Sequence, residues 1–153
     1  MKLAEALLLR SDQQKKIASL KQRINANVLV QDGDEPSEDP NELLKQVFTL
    51  TQETQKLVLA IHQTNAQAKT NNGRLLLAVL TERDEFVERH KILTSAIAST
   101  QQEPDRYSAR EIKWRKVIPV SSLQKQADDI SAKLRDLNVL IQASNWQIDL
   151  LNS

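Results

Sequence analysis

The sequence predicts a mainly α-helical fold: four long antiparallel helices with a short β-strand inserted between the third and the fourth. Three observations predict it. Apolar residues recur at three- and four-residue steps through most of the chain, the spacing that gathers side chains on one face of a helix. Glycine occurs twice and aromatic residues make up 3% of 153 residues, a composition poor in turn-formers and rings that suits helices packed through aliphatic seams. One stretch departs from both habits. "RYSAREIKWRKVIPV", 106–120, alternates apolar and basic residues, carries two of the five aromatic residues, and ends in a β-branched run stopped by Pro119.

The first helix is expected over about 2–30, with Leu3, Leu7, Ile17, Leu20, Ile24 and Val28 on one face. "QDGDEPSEDP" breaks it. The second helix, about 40–70, starts at "DPNE": Asp39 suits the N-cap, Pro40 the first helical position, and Glu42 can close a capping box. Leu43, Val47, Leu50, Leu57, Ile61 and Ala68 form its seam, with Thr54 and Thr64 at the remaining seam positions. "TNNGR" ends it, because Gly73 and the two asparagines tolerate left-handed backbone angles. The third helix, about 76–100, runs through Val79, Phe86, Val87, Leu93 and Ile97. The fourth, about 121–151, is the most regular: Leu123, Ala127, Ile130, Leu134, Leu137, Ile141, Ser144, Ile148 and Leu151 alternate four and three apart, after a capping box of Ser121 and Gln124.

Each helix is roughly 40 Å long at 1.5 Å per residue, and each has one narrow apolar stripe, so none is stable alone. Short first and second connections make consecutive helices antiparallel neighbours. One helical domain, 1–153, is expected, either as an up-and-down bundle or as two coiled-coil hairpins that pair with another chain.

The strand-like insert, about 107–118, needs a partner for its backbone, and "NVLVQ" at 27–31 is the candidate within the chain. The charges agree. Residues 31–42 hold six acids and no cation, and 106–116 hold five cations and one acid. On this reading the two loops close over one end of the bundle, with Trp114 turned inward and Ile112 to Val117 as the strand. Two other readings stay open: Arg106, Tyr107, Arg110, Lys113, Trp114 and Arg115 form a surface for an anionic partner or nucleic acid, or the strand pairs with another subunit.

Polar residues interrupt the seams. Arg10, His62, Arg83, His90 and Ser144 are candidates for a polar layer that sets register or oligomer state, with Asp84, Glu5 or Asp149 as counter-charge, or for a small anion or ligand site.

Function classes can be trimmed. Formal net charge is +1, which argues against a general nucleic-acid binder, though not against a local basic patch. Without cysteine there is no disulfide, thiol nucleophile or Cys-ligated zinc. His62 and His90 are the only histidines, and neither stands three residues after a glutamate, so the di-metal bundle motif is missing. No catalytic residue, metal ligand or cofactor is expected, and an enzyme is not. The start of the chain does not read as a secretory signal, and no apolar run approaches the roughly 18–20 residues of a membrane span, so a cytoplasmic location is expected.

"LAEALLLR", "NVLVQDGDEPSEDP", "NNGR", "TERD", "RYSAREIKW" and "LQKQADDI", with "NW" near the end, resemble a family of small uncharacterised bacterial helical proteins, some labelled septicolysin or septicolysin-like. The resemblance covers nearly the whole chain. It implies a helical fold, bacterial origin and no assigned reaction, and its label implies a membrane-active cytolysin. The residues themselves point to a helical scaffold or protein-interaction module that forms a homo-oligomer; the cytolysin is the alternative.

Overall fold

The computed structural model describes residues 1–101 and 112–152. Four helices follow one another: α1 (Leu3–Asn27), α2 (Pro40–Gln67), α3 (Leu76–Ser99) and α4 (Val120–Gln147). They divide into two compact units, one of Met1–Lys69 with Gln142–Ser153, the other of Thr70–Ile141.

In the first unit α1 and α2 pack side by side. The residues of α1 removed from solvent, wholly or in part, are chiefly Leu3, Ala6, Arg10, Gln13, Ile17, Leu20, Ile24 and Asn27; those of α2 include Leu43, Val47, Leu50, Thr54, Leu57, Ile61 and Thr64. Both series alternate three and four, the spacing of a seam about two positions in seven wide. Leu20, Leu43, Val47 and Leu50 form its core cluster, flanked by Ile17 and Ile24. Further along, Thr54 Oγ1 donates to Gln13 Oε1 at 3.0 Å, which fixes the antiparallel register with a polar pair.

Local chemistry sets the helix ends. Glu5 accepts a 2.6 Å bond from the Lys2 backbone N–H at the start of α1. Asp39 caps α2 by accepting from Asn41 N–H at 2.9 Å, and Pro40 occupies the first turn, as the sequence predicts. Glu42 does not close the box; its carboxylate takes the Lys45 ammonium at 3.2 Å. The N-terminus and the tail then clasp. Leu3 N–H donates to the Ile148 carbonyl and Leu150 N–H to the Met1 carbonyl, both at 2.9 Å, around an isolated antiparallel bridge of Lys2 with Asp149. Lys2 Nζ reaches Asp149 at 2.8 Å and the Gln147 carbonyl at 3.1 Å, placing a cation at the negative end of α4. Thr64, fully buried, donates to the Ala60 carbonyl and accepts from Leu151 N–H at 3.0 Å, so its hydroxyl is satisfied on both sides. This clasp is why α4 stops at Gln147, short of the expected Leu151: the residues beyond leave the helix to pair with the first ones.

In the second unit Val79, Leu80 and Phe86 of α3 pack with Leu137, Leu140 and Ile141 of α4. Phe86 also lies between two cations, Arg89 at 5.6 Å and Lys133 at 5.5 Å from the ring centroid. The "TNNGR" turn closes on itself through Thr70 N–H to the Arg74 carbonyl at 2.8 Å and Gly73 N–H to the Thr70 carbonyl at 2.9 Å. Gly73 takes the left-handed angle, φ 82°, and neither asparagine of the turn does. At the head of α4 the Pro119 carbonyl accepts from Ser122 and Leu123 N–H, so the helix starts two residues earlier than a Ser121 cap would place it. Gln124 instead donates to Asp128 at 2.8 Å.

The expected β-strand is corrected. Residues 112–118 form no strand, and among the described residues β-structure amounts to isolated bridge residues, such as Lys2 with Asp149. The remainder of the expected insert, 107–111, lies outside the described residues. A strand is made by a ladder, and the candidate partner is not one: α1 holds Asn27, and Val28 to Val30 continue as exposed irregular chain. The alternation in "IKWRKV" is therefore a pattern without the neighbour that would turn it into a sheet.

Candidate functional site

The residues proposed for the basic surface divide. Arg106, Tyr107 and Arg110 lie outside the described residues. Lys113, Trp114 and Arg115 are exposed, as is everything from 112 to 119. Trp114 is 73% exposed, which overturns the inward placement expected of it, and Ile112 and Val117 are 74% and 81% exposed beside it. Without a ladder to fix which side faces inward, alternation gives the Trp no buried side to face.

The acidic connection of 28–39 differs. Asn27 is buried, donates Nδ2–H to the Arg23 carbonyl at 2.7 Å and accepts Glu38 N–H on Oδ1 at 3.1 Å. Arg23 grips the Glu38 carboxylate through Nε, at 2.9 and 3.1 Å, and through Nη2. The hydrogen bond from Arg23 holds the Glu38 carboxyl below the ordinary glutamate range, and the same bond raises Arg23. Lys2 lowers Asp149 in the same manner. Between these pins, Gln31 to Asp34 make a turn, Asp34 N–H to the Gln31 carbonyl at 2.9 Å, with Gly33 at φ 92°. Asp32, Asp34 and Glu35 stay exposed, and so do the apolar residues that precede them, Val28 by 60% and Leu29 by 86%. Val28 thus leaves the α1 seam where the sequence placed it; Asn27 occupies that position.

The polar seam candidates spread over several levels. In the first unit Arg10 is half-buried on the α1 seam, and the Gln13–Thr54 pair sets it level with Leu57. Ser144 is buried on α4, and His62 is exposed on α2. In the second unit Arg83 and His90 are half-buried on α3, two turns or about 10 Å apart, so they occupy different levels of one seam, with Phe86 and Val87 between. The expected counter-charges are engaged: Asp84 takes Arg83 at 3.3 Å, Glu5 takes the Lys2 backbone, and Asp149 takes Lys2 Nζ. Asn27 was not visible as a site residue in the sequence; the only signal for it is its place at the end of a three-four series, where an apolar residue is usual.

A second face of α2 completes the inventory. Leu44, Phe48, Thr51, Gln55, Val58, Leu59 and His62 lie on one stripe by their spacing, displaced from the seam that meets α1. It carries no acid, lysine or arginine, and Phe48 is 65% and Leu59 50% exposed. No helix among the described residues is long and apolar enough to cross a membrane.

Known proteins give the chain a family and a fold. A crystal structure of a functionally unknown conserved protein from Corynebacterium diphtheriae is similar over 98% of both chains, with 33% identity and a TM-score of 0.88. No curated protein matches the sequence. The model of a family of unknown function, DUF6847, matches residues 10–150. The match takes in α1 from Arg10 onward and the whole of α2, α3 and α4, and the chain belongs to that family.

Proposed function

We propose that this protein is a cytoplasmic helical interaction module that works as a homo-oligomer, its seams packed in coiled-coil fashion and the second face of α2 buried against another copy. The uncharged stripe from Leu44 to His62 carries the reading. A face without acid or strong base can meet itself about a twofold axis and leave no charge buried. A helix that packs one apolar stripe against its partner and leaves Phe48 and Leu59 exposed on another face has more apolar surface than its own unit uses. Phe48, large and exposed, is the natural anchor of such a contact.

Light scattering at micromolar concentration tests this. The expected mass is a multiple of the 17.4 kDa chain, and Phe48→Asp with Leu59→Asp is expected to return it to one chain while far-UV circular dichroism stays unchanged. A wild-type protein of single-chain mass throughout the range rejects the reading.

The septicolysin resemblance supplies a second reading, a membrane-active protein. The exposed Ile112, Trp114, Val117 and Ile118 among Lys113, Arg115 and Lys116 favour it, because aromatic and aliphatic side chains mixed with cations suit a lipid interface. Dye release from vesicles at submicromolar protein would put this reading first.

A further inference from the structure

Resting on the homo-oligomeric reading, we infer that the exposed segment 112–118 of one copy docks on the exposed segment 28–35 of a second copy. The two segments are chemical opposites with the same plan. The first joins Ile112, Trp114, Val117 and Ile118 to Lys113, Arg115 and Lys116, and has no acid. The second joins Val28, Leu29 and Val30 to Asp32, Asp34 and Glu35, and has no cation. Leu29 at 86% and Val117 at 81% exposure are among the most exposed large apolar residues of the chain. Neither segment belongs to a helix or a ladder among the described residues, so both offer backbone as well as side chains.

Charge selects the occupant. An apolar segment bearing three cations is matched by an apolar segment bearing three acids, and each copy carries both. The acids are held ready. The grip of Arg23 and Asn27 on Glu38 holds the far end of the connection to α1 and the Gln31–Asp34 turn folds the stretch before it, while the carboxylates of Asp32, Asp34 and Glu35 stay exposed. Two copies related by a twofold axis satisfy the arrangement twice, the basic segment of each on the acidic segment of the other. A lipid surface would use the basic segment alone and leave Leu29 and its neighbours in water.

Charge reversal with complementation tests the contact by sedimentation velocity. One chain carries Lys113→Glu, Arg115→Glu and Lys116→Glu; a second carries Asp32→Lys, Asp34→Lys and Glu35→Lys. Each alone is expected to self-associate roughly tenfold or more weakly than wild type, and an equimolar mixture of the two is expected to regain a complex, since every contact is again between opposite charges. If both reversed chains keep the wild-type mass and affinity, this contact is overturned and the self-association reading stands; a wild-type protein that never associates removes both. Reversed chains that melt lower with no change in mass would place the pairing inside one chain and overturn the proposal. Binding of wild type to phosphatidylserine vesicles, lost on reversing the basic segment with mass unchanged, would overturn it in favour of lipid.

Discussion

The connection from α1 to α2 is pinned at both ends by side chains, whereas the described part of the connection from α3 to α4, residues 112–119, is exposed at every position. Both connections are long, and their described residues, 28–39 and 112–119, hold no helix or strand and carry charge of one sign. They differ in what the helix ends offer them. Asn27 and Arg23 reach from the last turns of α1 to the Glu38 backbone and carboxylate, and Asp39 then caps α2. On the other connection, the described anchor is the Pro119 carbonyl, and it serves the helix that follows. A loop is held by the polar groups that helix termini leave unsatisfied and by the side chains placed to meet them, not by its own alternation or charge.

Substitutions can break this contrast in graded steps. The largest effect is expected beneath the pinned connection, at Leu20, which is buried in the cluster that holds α1 to α2. Leu20→Ala should cost about 3 kcal/mol in urea unfolding, from lost burial and the cavity left behind. Asn27→Ala should cost about 2 kcal/mol by the same measurement, because the Glu38 N–H loses its acceptor beside a buried position. The Asn27→Asp chain should recover part of that loss, since a carboxylate still accepts from Glu38 N–H but cannot donate to the Arg23 carbonyl.

A pH titration sharpens the comparison further. Glu38 is lowered in the folded protein by Arg23, so in the window between its folded and unfolded values the unfolded chain binds the extra proton. Its contribution is present above the ordinary glutamate range and lost as pH falls through the folded value. Thermal melts of wild type should therefore lose their advantage over Glu38→Gln on acidification and keep it at neutral pH. At neutral pH that advantage should be smaller than the Asn27→Ala effect, since the pair is partly open to solvent. The smallest effect is expected on the unpinned side. Trp114→Ala should change stability by less than about 0.5 kcal/mol, because the ring is 73% exposed. A loss of several kcal/mol there would restore the inward Trp that the sequence suggests.

Much of the fold is legible along the chain for a local reason. A helical seam repeats every three and four residues, so Leu43, Val47, Leu50 and Ile61 on α2, or Leu123, Ala127, Leu137 and Ile141 on α4, announce their burial without reference to any partner. The Asp39–Pro40 start and the left-handed Gly73 are local as well. Less of the candidate site is legible. Asn27 reads as an unremarkable polar residue near a helix end, and its value lies in Glu38, eleven residues on. The basic insert reads as a strand because "IKWRKV" alternates, yet alternation states only which residues share a side.

By itself the sequence determined the four helices, their seams and the segregation of acids into one connection and cations into another, because helical periodicity, capping and charge are properties of neighbouring residues. Only the tertiary structure decided that Lys2 and Asp149 meet, that Thr64 receives Leu151, that Asn27 ties down the acidic loop, and that Trp114 is exposed in place of strand-paired. The first two depend on partners far along the chain, the third on one eleven residues away and the fourth on whether a ladder partner is met at all; a hydrogen bond or a ladder exists only when the fold brings its partner within reach.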